Sequence, residues 1–303
     1  MSASLLAAAL AQVITVPLQP PPRQVERPIA PIETAGAIFD GTCKEWDDWD
    51  KPAPPVRIHG NTYLVGTCGI SSILITGSEG HVLIDSGTEK GADLVAANIR
   101  RLGFRLSDVK FLLHSHEHID HVGGMARLQQ LTGAKLVASA NAAAVFRTGA
   151  PRSGDPQAGM HPPFRAARVD RVIKHGDTVR LLDLKLTAVD TRGHTPGALS
   201  WTWVSCDGGV CRNMVYADSL SPVSRDDYRF SVHPAALQAF RTSIARVAAL
   251  DCEILMTPHP SASNLVARLG DRAPIENSDA CRDYAAKLSQ QLDERLAKEA
   301  AGK

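Results

Sequence analysis

Four histidines and an aspartate crowd into HSHEHIDHVGG (114–124). His116 and His118 stand two apart, so at a strand end both project to one side. Asp120 and His121 then occupy the turn before a helix that starts at Gly123 and Gly124. Imidazole nitrogens with a single carboxylate form a donor set suited to zinc, a borderline-soft ion with no ligand-field preference. One local motif cannot complete two tetrahedral sites, so further donors must come from distant segments. His194 in GHTPG (193–197) and His259 in TPHPSAS (257–263) each follow a strand-like run. Loops on a rigid scaffold are where site residues usually sit. A lone histidine at such a place is ordinarily structural. Five of them with Asp120, all at strand ends, point to a metal centre.

Neighbouring polar residues read differently. His114 shares the strand face of His116, but the metal pattern fits in one register only, which makes His114 a structural or supporting residue. Glu117 is expected to point away from the metals as a solvated or supporting carboxylate. Asp85 closes the strand in LIDSG, and His175 in KHGD reads as a surface turn. His161 and Gln157 lie in a Pro/Gly-rich stretch, 149–167, long enough to be a functional loop bordering a substrate cleft. A serine-nucleophile mechanism finds no support. Ser107 and Lys110 match S-x-x-K, but S-D-N, K-T-G and G-x-S-x-G are all missing.

The elements that must position these residues follow from periodicity. Short β-branched runs separated by turns mark strands at VRIHG, NTYLVG, ISSILITG and HVLIDSG (56–87). Helical spacing follows over 90–102, then a strand at 111–113, a helix over 123–131, a strand at 135–138 and a helix over 142–147. A second β-rich segment contains RVIKHG, TVRLLD, LKLTAVD, LSWTWV and NMVYAD. Helices over 234–250 and 279–297 flank a strand at 253–256. Each half thus opens as an antiparallel meander and closes with helix–strand units. The expected class is α+β, an αββα sandwich of two mixed sheets packed face to face with helices on the outer faces.

Residues 1–16 read as a secretory signal peptide cleaved near Ala11: the run over 5–16 is apolar, shorter than the roughly 20 residues that span a bilayer, and ends near an A-x-A pattern, although no Lys or Arg precedes it. Residues 17–35 form a proline-rich extended tether, and 36–303 make one domain. Export gives meaning to the cysteines Cys43, Cys68, Cys206, Cys211, Cys252 and Cys281. None forms a C-x-x-C pair. Many connectivities are possible, and bridges between sequence neighbours (43–68, 206–211, 252–281) are the simplest. The net charge of +1, from 33 basic and 32 acidic residues, removes any global electrostatic case for nucleic acid.

HEHIDH (116–121) resembles the H-x-H-x-D-H signature of the metallo-β-lactamase superfamily. GHTPG, LSWTW (199–203), ADSLS (217–221) and PHPSAS (258–263) are similar to subclass B3 of that family, over a span from about Cys43 to the last helix. The resemblance implies two zinc ions, the first held by His116, His118 and His194 and the second by Asp120, His121 and His259. It implies a shared water whose pKa falls to about 7, so that a zinc-bound hydroxide opens the β-lactam amide of penicillins, cephalosporins and carbapenems. That activity confers antibiotic resistance. Asp120 would also orient the water, while Ser219, Ser221 and Gln157 would contact substrate. A periplasmic or secreted monomer with a small-molecule substrate, and no nucleic-acid or membrane partner, completes the expectation. The alternative is a glyoxalase II-like thioesterase or lactonase, in which Asp218 of ADSL would bridge the metals.

Overall fold

The computed structural model describes residues 32–43 and 48–302. The leader over 1–16 and the tether up to residue 31 lie outside the described residues. An antiparallel meander is built from β1 (Val56–His59) and β2 (Thr62–Leu64), whose burial alternates, with β3 (Ile73–Gly77) and β4 (Gly80–Ile84). Every residue of β4 is buried, as a strand covered on both faces must be. The sheet then grows in parallel through β5 (Val109–Leu113), β6 (Lys135–Ser139) and β7 (Val169–Ile173). Parallel neighbours need crossovers, and α2 (Glu89–Arg101), α3 (Ile119–Val122), α4 (Met125–Thr132) and α5 (Ala140–Thr148) supply them.

A second sheet runs in the order β12-β11-β10-β9-β8. It comprises β8 (Thr178–Leu181), β9 (Leu184–Asp190), β10 (Leu199–Asp207), β11 (Val210–Tyr216) and β12 (Ile254–Met256). Alternation sorts the side chains into layers. Ile73, Ile75, Val82 and Ile84 meet Leu186, Trp201, Met214 and Tyr216 between the sheets. On the outer face of the first sheet, Leu74, Leu83 and Leu112 pack under Val95, Ile99, Leu128 and Phe146. On the outer face of the second, Val215 and Leu255 pack under α6 (Pro234–Ala248) and α8 (Ala280–Ala300), through Phe240, Val247, Tyr284 and Leu288. This is the expected αββα sandwich.

Three expectations are corrected. First, the strand read in RVIKHG does not belong to the second β-rich segment: β7 pairs in parallel with β6 at the edge of the first sheet. The helix α5 and the following loop make a β-α-β crossover, which returns the chain beside β6. Second, folded structure starts before residue 36, because α1 (Ile32–Thr42) begins inside the stretch read as tether and buries Ala35 and Phe39. Third, the helix expected over 123–131 starts only at Met125 as α4, and a separate helical turn, α3, precedes it, so Asp120 and His121 sit within a helical turn rather than ahead of a helix.

Three disulfides close between sequence neighbours. Cys43–Cys68 fastens the end of α1 to the loop after β2, and Cys206–Cys211 joins directly paired residues of β10 and β11. Cys252–Cys281 fastens the approach to β12 onto α8. The last helix also reaches the loop after β11. Tyr284 donates its hydroxyl to the carbonyls of Asp218 and Ser219, and Arg295 donates to Ser224 Oγ and the Tyr228 carbonyl.

Candidate metal centre

The loops leaving the C-terminal ends of β5, β9 and β12 meet at one end of the sandwich. After β5 come His116, His118 and α3 with Asp120 and His121; after β9 comes His194, and after β12 comes His259. Ring centroids of His116, His118 and His194 lie 4.7–5.0 Å apart, and those of His116 and His121 lie 4.2 Å apart. Donor atoms fall within 4.8 Å of one another in two groups that share a member: His116, His118, His194 and His116, Asp120, His121. His259 Nε2 completes the second cluster, 3.3 Å from His121 Nε2 and 3.5 Å from Asp120 Oδ2.

The outer nitrogens of four rings are anchored, which dictates the tautomer each ring presents inward. His116 Nδ1 lies 2.8 Å from Asp218 Oδ1, His194 Nδ1 lies 2.9 Å from the Ser221 carbonyl and His259 Nδ1 lies 3.1 Å from the Gly69 carbonyl. His118 is anchored through Nε2 instead, 3.2 Å from both oxygens of Asp155. His121 Nδ1 is the exception: Asp85 Oδ2 stands 3.7 Å away, too far for a hydrogen bond.

The donor set fits zinc. His121 Nε2, His259 Nε2 and Asp120 Oδ2 converge at 2.9–3.5 Å, and two ring nitrogens so close repel unless a cation or proton lies between them. Burial, reinforced by neighbouring imidazoles, pushes His194 down to about 3 and His116 well below the usual histidine range. Both therefore stay neutral, which is the form that binds metal. For Asp120 burial works upward, but His121 and His259 overcome it and hold the carboxylate below its usual range.

Behind this cluster, Asp85 accepts from the Ser115 amide (2.7 Å), Ser115 Oγ (2.6 Å) and the Tyr216 hydroxyl (2.8 Å). It thereby ties the metal loop to both sheets. Asp218 sits on the far side of the His116 ring and in neither donor group, rather than bridging the centre. His114 is structural: its Nε2 accepts from the Ser139 amide, and burial pushes it down to about 4. Ser107 is incidental, since Lys110 donates to its backbone carbonyl. His175 lies in an exposed turn with Nδ1 accepting from the Asp190 amide. His161 is exposed and edge-on to Trp49.

Of the two expectations for Glu117, the structure bears out the supporting carboxylate and not the solvated one. The Glu117 carboxylate is buried and accepts from Thr195 Oγ1 (2.6 Å) and the Gly197 amide (2.8 Å), joining the His116–His118 loop to the loop carrying His194. Alternation at the strand end turns it away from the donors, and the GHTPG loop covers it there. Gly197 is required for that closeness, because a Cβ would stand 2.7 Å from Glu117 Oε1. Glu117→Ala strands two buried donors at about 1–3 kcal/mol each. The expected result is a lower denaturant midpoint and a weaker hold on zinc.

The residues read as substrate contacts flank the centre. Ser219 Oγ is buried with no hydrogen-bond partner among the described residues. Ser221 Oγ lies 3.2 Å from His194 Nδ1, on the ring's outer side. Gln157 is buried, its amide side chain 3.5 Å from the Val223 carbonyl and its backbone N–H donating to Asp155 Oδ1 at 2.7 Å. Asp155 and the carbonyl of Gly69 escaped the sequence reading. Only the Pro/Gly-rich loop containing Asp155 gave a signal.

Residues 65–211 match the model of the metallo-β-lactamase superfamily. Among solved structures, the MIM-2 metallo-β-lactamase is 57% identical, with 88% of this chain and 98% of that chain covered and a TM-score of 0.84. MIM-1 from Novosphingobium pentaromativorans is 49% identical, covering 88% and 99% with a TM-score of 0.86. MEM-A1, a subclass B3 metallo-β-lactamase from a soil metagenome library, is 44% identical, covering 84% and 100% with a TM-score of 0.82. The chain spans about half or less of the curated relatives it matches. A probable metallo-hydrolase of Burkholderia pseudomallei is 28% identical over 146 residues, 48% of its length. A hydroxyacylglutathione hydrolase of Polaromonas is 34% identical over 100 residues, 29% of its length. With its sandwich, donor set and near-complete coverage of these solved relatives, the chain belongs to the metallo-β-lactamases of subclass B3.

Proposed function

We propose that the protein hydrolyses the β-lactam amide of penicillins, cephalosporins and carbapenems with two zinc ions, and so confers resistance to these antibiotics. The observation that carries the reading is the convergence of six donors, four of them rings whose outer nitrogens are already anchored. His116, His118 and His194 hold the first zinc, and Asp120, His121 and His259 hold the second. Zinc, when bound, supplies a water reactive near neutral pH and a Lewis acid for the lactam carbonyl. Asp120 orients that water, its carboxylate kept in the accepting form by His121 and His259. The Ser219 hydroxyl, buried without a hydrogen-bond partner among the described residues, would donate to the substrate carboxylate. Ser221 and Gln157 border the same space. The thioesterase alternative loses ground, because Asp218 is engaged behind His116.

Three disulfides suit an oxidising compartment, in keeping with a periplasmic or secreted protein. No helix among the described residues is long and apolar enough to cross a membrane. The protein is proposed to act as a monomer. The decisive experiment follows turnover of a penicillin, a cephalosporin, a carbapenem and a glutathione thioester, before and after exhaustive chelation. β-Lactam turnover that vanishes with the metal and returns on adding zinc is expected. Undiminished activity in metal-free protein would overturn the mechanism, and thioester turnover without β-lactam turnover would overturn the substrate.

A further inference from the structure

Within the loop over 149–167, Asp155 reaches a ring of the metal centre. This side chain is 1% exposed, and both of its oxygens lie 3.2 Å from His118 Nε2. The remaining acceptor capacity of Oδ1 is taken by the Gln157 amide at 2.7 Å. A second layer holds the backbone. Arg225 donates from its guanidinium to the Asp155 carbonyl (3.0 Å) and from its amide to the Pro156 carbonyl (3.0 Å). The Arg225 guanidinium is in turn paired with Asp227 at 2.7 Å and lies over the Tyr228 ring.

The geometry points to Asp155 as the positioning residue of His118, and to Arg225 as the residue that keeps Asp155 in place. The inference rests on the reading of His116, His118 and His194 as the first zinc site. A carboxylate only accepts, so the His118 proton resides on Nε2 and Nδ1 presents its lone pair to the site. His116, His194 and His259 are anchored the other way round, by Nδ1, and present Nε2. His118 is thus the one anchored ring turned about, and Asp155 is the group on the described surface of the ring that turns it. The same short stretch carries Gln157. The substrate loop and the first metal site therefore share one support, and a shift of that loop would be felt at His118.

The test uses the full chain loaded with zinc or with cobalt as a spectroscopic substitute, and reads binding rather than turnover. Zinc affinity is measured by competition with a chromophoric chelator for the parent, Asp155→Ala and Asp155→Asn. Cobalt-bound histidines also give shifted N–H proton resonances that are present in H2O and lost in D2O. Losing an orienting partner behind a metal-bound histidine typically costs about 10–100-fold in metal affinity. That loss is expected for Asp155→Ala, with disappearance of one exchangeable N–H resonance and an otherwise parental cobalt visible spectrum. Asp155→Asn, whose amide oxygen can still accept, is expected to regain most of both. Should the alanine variant fail to fold, Asp155→Asn and Arg225→Ala carry the test, the latter expected to weaken zinc in the same direction. Parental affinity and an intact resonance in Asp155→Ala would overturn the inference. So would a cobalt spectrum altered alike in both Asp155 variants, which would make Asp155 a direct ligand. A parent protein that binds neither metal would overturn the zinc-site reading itself, a result distinct from the other two.

Discussion

Replacing Asp120 with alanine is expected to lower β-lactam turnover by about 10²–10⁴-fold, the usual worth of a positioned proton acceptor. Asp120 is the single carboxylate in the six-donor set, and its Oδ2 lies 2.9 Å from His121 Nε2 and 3.5 Å from His259 Nε2. Its loss removes one donor from the second group together with the acceptor that orients the attacking water. It also leaves two imidazole nitrogens facing each other at 3.3 Å with no anion beside them. Two measurements separate these consequences: kcat at saturating zinc, and the zinc content of the purified variant. Asp120→Asn keeps a neutral oxygen donor, so it should retain more zinc than the alanine variant while recovering little of the rate. An alanine variant that turns over at the parent rate would remove Asp120 from the reaction.

The largest effect on stability is expected at Asp85. Substitution by alanine leaves the Ser115 amide, the Ser115 hydroxyl and the Tyr216 hydroxyl without their shared acceptor, all of them in the interior. Asp85 also has φ +63°, in the left-handed region that Asp and Asn tolerate better than alanine. Breaking a buried charged network of this kind costs about 3–5 kcal/mol. A shift of the denaturant midpoint at unchanged slope should report it, with Asp85→Asn between the parent and alanine. A shift as small as that of an exposed substitution would show that the network adds little beyond packing.

The layered architecture and the donors were legible in the sequence because both depend on short-range regularities. Period-two burial marks strands such as Val56–His59, and H-x-H-x-D-H fits a strand end in one register only. His194 and His259 could be placed because each directly follows a strand. The failures share a different origin. The sheet to which Val169–Ile173 belongs is decided by the crossover of α5, a long-range choice with no local mark. Glu117 stays open between a solvated and a supporting carboxylate in the sequence, because nothing in HEHIDH announces that Thr195 and Gly197 will close over it. Asp155 was missed because its partner is 37 positions away and its own neighbourhood has no periodicity. A carboxylate's role behind a metal ligand is set by tertiary approach alone.

The reach of α8 back to the loop after β11 has a consequence for the order in which the molecule can be made. Asp218 and Ser219 are held by Tyr284, and the segment around Ser224 and Tyr228 by Arg295. On a ribosome releasing the N-terminus first, at about 5–20 residues per second, the HEHIDH loop emerges well before His259, Tyr284 and Arg295. Until then it is a cluster of histidines without its partners, able to catch stray metal but unable to form the finished pocket. Completion of the site therefore belongs to the last moments of synthesis or later, and a frameshift or stop codon that spares every zinc ligand but removes α8 should still leave an inactive product.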